Sequence, residues 1–65
     1  MRLTEFWRRM HLVFGEEYAE SWATDMTLSE LDSRTVAEAL QAGVPAKQVW
    51  RAVCQHADVP PNLRS

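Results

Sequence analysis

The stretch TVAEALQAGVPAKQVWRAV, residues 35–53, decides the fold. Thr35 and Glu38 have capping-box spacing, in which a hydroxyl and a carboxylate each take a backbone N–H of the first helical turn. Val36, Ala39 and Leu40 recur at helical spacing as one apolar face. Gly43 then stops the helix, since glycine enters the left-handed region without steric cost. Pro45 suits the first turn of a new helix, where its missing N–H is no loss. On that new helix Ala46, Val49, Trp50, Val53 and Ala57 form the apolar face, while Lys47, Gln48, Arg51 and Gln55 point elsewhere. The stretch reads as helix, tight turn, helix over residues 35–42 and 45–57. That is the order of a DNA-binding helix-turn-helix, and equally of a plain helical hairpin. Gly43, Ala39, Val44 and Val49 match the helix-turn-helix pattern. Ala42, Glu38 and the phase of Val36 and Leu40 depart from it.

Toward the N-terminus, Leu3, Phe6, Trp7, Met10, Val13 and Phe14 fall at i, i+3, i+4, i+7 spacing and predict a helix over residues 4–14. Thr4 is its expected N-cap and Gly15 its stop. Arg8 and Arg9 lie off the stripe. Such a basic amphipathic helix can bind a membrane surface, but other aromatic segments exist to cover the stripe, so it reads as core. Residues 16–25 should form the next helix, with Glu16 and Glu17 in the dipole-favoured first turn. Tyr18, Ala19, Trp22, Ala23 and Met26 are its expected buried face. Thr27 and Glu30 repeat the capping-box spacing, predicting one short turn over residues 28–31 that carries Leu28 and Leu31. Asp32-Ser33-Arg34 reads as loop. No alternating pattern predicts a strand.

The expected fold class is therefore all-α: a small bundle of about four helices with a helix-turn-helix-like corner between the third and fourth. Its expected core is Phe6, Trp7, Met10, Phe14, Trp22, Leu28, Leu31, Val36, Leu40, Val49 and Val53. Residues 1–58 should form a single helical domain. Pro60-Pro61 ends the helical part, and residues 59–65 read as a flexible tail.

Sixty-five residues make one domain at most. A domain this small has marginal stability unless something reinforces it. Cys54 is the only cysteine, so no disulfide can form within the chain. A lone thiol without a secretory signal fits a reducing cytoplasm. With two histidines and one cysteine, a structural zinc site is not expected, nor is any other cofactor. No apolar run is long enough for a signal peptide or a membrane span.

The strings MRLTEFWRRM, SWATD, RTVAEALQAG and VWRAVC, with Trp7, Trp22 and Trp50 as their markers, resemble an actinobacterial family of short uncharacterised proteins, a domain of unknown function. The resemblance runs from Met1 to Cys54. It implies a cytoplasmic bacterial protein, sometimes encoded near the recombinase and its regulator. It supplies no catalytic or binding residues.

Catalysis is not expected. Cys54 and His56 are two residues apart and point in different directions on a helix. Gly15 and Gly43 both read as helix stops rather than a phosphate loop, and so short a chain has little room for a closed pocket. No small-molecule substrate is expected. Binding is the remaining class. Residues 16–32 hold six acids and no base, whereas the flanking segments are each net positive by two. The candidate binding surface comprises Arg8, Arg9, Lys47, Gln48, Trp50 and Arg51, with Trp50 beside Arg51 as a partly exposed residue of the kind that carries interface energy. DNA is the alternative partner, read by Lys47, Gln48 and Arg51 with Arg8 and Arg9 on the backbone. The acidic isoelectric point near 5.5 weighs against it, because DNA affinity draws on phosphate neutralisation.

Overall fold

The computed structural model describes residues 1–64. In chain order the elements are α1 (Leu3–Phe14), α2 (Glu16–Asp25), β1 (Thr27–Leu28), a 3₁₀ turn (Ser29–Leu31), β2 (Arg34–Thr35), α3 (Val36–Gln41), α4 (Ala46–His56) and α5 (Pro61–Arg64). Helices dominate, as the periodicity predicts, but the molecule is not a pure four-helix bundle. A fifth helix and a small antiparallel sheet are present.

The corner between α3 and α4 forms as its residues dictate. Thr35 Oγ1 accepts from the Glu38 N–H at 3.1 Å, and the Thr35 N–H donates back to Glu38 Oε1 at 2.9 Å, completing the capping box. At the other end Gly43 takes φ +91°. The Val44 N–H reaches the Ala39 carbonyl at 3.0 Å and the Gly43 N–H reaches Leu40 at 3.1 Å. These two bonds make a Schellman motif, which satisfies carbonyls that the helix end leaves orphaned. Gly15 has the other positive glycine φ, +88°, with ψ 153°. That region is essentially closed to other residues. Gly15 ends α1 with its N–H on the His11 carbonyl at 2.8 Å, and its own carbonyl accepts from Ala19 in α2 at 3.0 Å. The first helix begins one residue before its expected start. Its N-cap is Arg2, which makes no side-chain cap, so Thr4 does not cap it.

The expectation of no strand is corrected between residues 27 and 35. Thr27 pairs with Thr35 and Leu28 with Arg34. Thr27 therefore does not cap the short turn; Leu28 occupies that place without a side-chain bond. Two residues per strand leave no room for an alternating pattern to show. The turn closes with Asp32 and Ser33 both at positive φ, 58° and 61°. The Ser33 N–H donates to Leu28 at 3.0 Å. Left-handed backbone costs about 1–2 kcal/mol for a residue with a Cβ, less for Asp and none for Gly. Ser33→Gly is therefore expected to stabilise the fold by about 0.5–1 kcal/mol after the added chain entropy of glycine is counted. Thermal unfolding followed by circular dichroism checks this; a lowered melting temperature would mean the Ser33 side chain outweighs the relief.

The core is one cluster under all five helices. Phe6, Met10, Leu28, Val36, Val49 and Val53 are buried completely, and Trp22 and Leu31 nearly so. Trp7, Phe14 and Leu40, expected in the core, are only partly buried at its edge. Phe14 stacks on Trp22 with ring centroids 4.5 Å apart. Tyr18 and Met26, expected on the buried face of α2, are exposed instead, and Ala19, Trp22 and Ala23 carry that face. The segment expected to be a flexible tail is folded as far as Arg64. Val59 is buried and Leu63 packs against the cluster.

Candidate functional site

Four of the six candidate binding residues converge. An open cleft of about 540 Å³ is lined by Met1, Arg9, Lys47, Trp50, Arg51 and Arg64. Arg9 comes from α1, Lys47, Trp50 and Arg51 from α4, and Arg64 from α5. Among the described residues the lining holds four cationic side chains and no carboxylate.

Each cation is placed differently. Arg9 is clamped: its Nε donates to Glu5 at 2.9 Å, its Nη1 to the Leu63 carbonyl at 3.2 Å, and its guanidinium lies 5.9 Å from the Trp50 ring centroid. That last contact is within cation–π range. Arg64 is oriented by its own segment, with Nε donating to the Val59 carbonyl at 3.1 Å. Among the described residues Lys47, Arg51 and Arg64 make no ion pair. Lys47 and Arg51 are four apart on α4, which carries no acid. A like-charge pair at this spacing destabilises a helix by about 0.2–0.5 kcal/mol, a cost that a bound anion would relieve.

Trp50 corrects the expectation of a partly exposed residue. It is 1% exposed, and its indole N–H donates to the Leu63 carbonyl at 2.8 Å. It forms the floor of the cleft and supports Arg9, so no ligand can stack on its face. Arg8 and Gln48 lie outside the lining. Gln48 is exposed on α4. Arg8 turns to Glu5 in a two-bond pair of 3.0 and 2.8 Å. The hydrogen bonds from Arg8 and then Arg9 hold the Glu5 carboxyl down at about 2.

Arg64 is a cationic cleft residue that the sequence reading missed. The signal that could have found it is Val59 and Leu63, apolar residues four apart after the end of α4. Their packing folds the segment back and brings Arg64 to the cleft.

The acids lie elsewhere. Of the six carboxylates between residues 16 and 32, four belong to α2, Glu30 to the turn at Ser29–Leu31 and Asp32 to its border, and all six are exposed. The main packing partners of α2 are α1, α3 and β2, whereas α4 packs on α1, α3, the hairpin and α5. Among the described residues one ion pair joins the two charge regions: His56 Nε2 lies 2.6 Å from Glu30 Oε1, at the end of α4 away from Lys47. The Glu30 carboxyl is lowered, first by its own backbone N–H and also by His56 and Ser29. Cys54 is half-buried, and burial pushes its thiol up.

Residues 1–62 match the family described as protein of unknown function (DUF3046). The chain belongs to that family. No curated protein matches it, and no solved structure matches it. The DUF3046 match takes in Arg9, Lys47, Trp50 and Arg51 of the cleft and stops short of Leu63 and Arg64. No helix among the described residues of this DUF3046 chain is long and apolar enough to cross a membrane.

Proposed function

We propose that this protein is a small non-catalytic interaction module whose cationic cleft holds an acidic segment of a partner protein. The observation that carries the reading is the convergence of Arg9, Lys47, Arg51 and Arg64 on one cavity whose lining, among the described residues, holds no carboxylate. Surface charges of one sign are usually interspersed with the other; four together, on three separate helices, form a ready site for an anion. The raised Cys54 thiol supports the non-catalytic part, since a nucleophilic cysteine acts as thiolate. A half-buried lone thiol also suits a cytoplasmic setting.

DNA is the second reading. It draws support from the joint exposure of Lys47, Gln48 and Arg51 on α4, the second helix of the corner. Two observations favour the protein partner instead. Arg8 lies outside the cleft and is paired to Glu5, so it is not free to serve a phosphate backbone. The six exposed acids between residues 16 and 32 also oppose a long polyanion.

Titration with a peptide rich in Glu and Asp, and separately with duplex DNA, tests the choice. The peptide should bind, with affinity falling as salt rises. The double variant Lys47→Glu/Arg51→Glu should weaken it by about tenfold or more, equivalent to about 1.4 kcal/mol. Arg8→Ala, outside the cleft, should leave it unchanged. Sequence-selective DNA binding tighter than about micromolar, with no peptide binding, would overturn the proposal, because nonspecific DNA binding is weaker than that.

A further inference from the structure

We propose that α5 is a working wall of the cleft, so that seating this segment and binding an anion stabilise each other. The inference rests on the anion-binding reading of the cleft and adds to it the residues that regulate it.

Among the described residues, the hydrogen bonds that tie the segment after Val59 to α1 and α4 meet on one atom. The Leu63 carbonyl oxygen accepts from Trp50 Nε1 at 2.8 Å and from Arg9 Nη1 at 3.2 Å. The Leu63 side chain adds a half-buried apolar contact. Pro60 and Pro61 have no N–H to donate, so they add no backbone donor to the anchorage. Among the helices α5 packs chiefly on α4. Most of the segment is exposed, and exposed terminal segments open at free energies below that of global unfolding.

Opening would dismantle the cleft as well as the wall. It would carry away Arg64, one of the four lining cations, and would release the carbonyl that orients the Arg9 guanidinium. It would also leave the Trp50 N–H without its partner, a penalty that favours the seated state. An anion reaching Arg51 and Lys47 on α4 and Arg64 on α5 bridges the two elements. Binding and seating are then linked equilibria, and each must strengthen the other by the same factor.

Two full-length variants test this, with the Glu- and Asp-rich peptide as probe. Arg64→Gln removes the charge and leaves the Leu63 anchor. Leu63→Gly loosens the anchor and leaves every charge. Both should bind the peptide about fivefold or more weakly than the parent chain, the lower end of typical coupling. Saturating peptide should slow hydrogen exchange of the Trp50 indole N–H, read as its own peak by NMR, in the parent chain. Circular dichroism of each variant verifies the fold. Unchanged affinity in Leu63→Gly, or unchanged indole exchange on saturation, would overturn the coupling while the anion site stands. Failure of the parent chain to bind the peptide would overturn both.

Discussion

Trp50→Ala is expected to lose about 3–5 kcal/mol of folding stability, the range for emptying a buried tryptophan site. A domain of this length holds roughly 3–10 kcal/mol in all. The variant should therefore lose from about a third to all of its stability, with a much lower unfolding midpoint. Two effects add here. The side chain is 1% exposed, so a large cavity opens beneath α5, and the Leu63 carbonyl loses its shorter hydrogen bond. Trp50→Phe separates them: it keeps much of the ring volume and removes the N–H, and its cost should fall to about 1–2 kcal/mol. Urea unfolding followed by circular dichroism measures both. A Trp50→Ala chain with the parent midpoint would show that the floor of the cleft contributes nothing to the fold.

Phe6→Ala should be nearly as damaging, at about 3–5 kcal/mol. Phe6 is fully buried and stands edge-on to two tryptophans, with centroids 5.4 Å from Trp7 and 5.9 Å from Trp50. Each such aromatic pair adds about 0.5–1.5 kcal/mol beyond area burial. Phe6 is also what joins α1 to α4 below the cleft, so its loss should be strongly non-additive with that of Trp50. A double-mutant cycle built on milder substitutions, Phe6→Leu with Trp50→Phe, reads the coupling directly. Strict additivity would mean that the two rings merely share a core without supporting each other.

The parts of this fold that were legible in the sequence are those with enough turns to repeat. The stripe from Leu3 to Phe14 spans three turns, and α1 follows it within one residue. The corner was legible because capping box and glycine stop mark both ends of α3. The hairpin was not, because each strand contributes only two residues and the turn uses Asp32 and Ser33 rather than glycine. Tyr18 and Met26 show a different limit. Helical spacing assigns a residue to a stripe but not to a neighbour, and α2 meets α1 and α3 through two alanines and a tryptophan instead.

The cleft was legible in its α1 and α4 residues and illegible in α5. Arg9, Lys47 and Arg51 were identifiable as cations off the apolar stripes. Their convergence depends on how α1 crosses α4, which no local pattern encodes. Arg64 lies beyond two prolines, in a segment whose composition alone reads as disordered. Trp50 was placed on the apolar face of its helix correctly, yet its neighbour Arg51 invited an exposed reading. The carbonyl that buries its N–H comes from thirteen residues away.

That carbonyl has a consequence for genetics. The Leu63 oxygen belongs to the main chain, so no amino-acid replacement can delete it, and an alanine scan would record position 63 only as apolar filler. What inheritance can damage is spacing. An inserted or missing codon between Val59 and Leu63 would offer Trp50 and Arg9 the wrong peptide group while leaving every side chain of the helical core in place. Reading-frame-preserving indels in this short connection are thus the lesions to which the site is most exposed, and substitution tables would not reveal it.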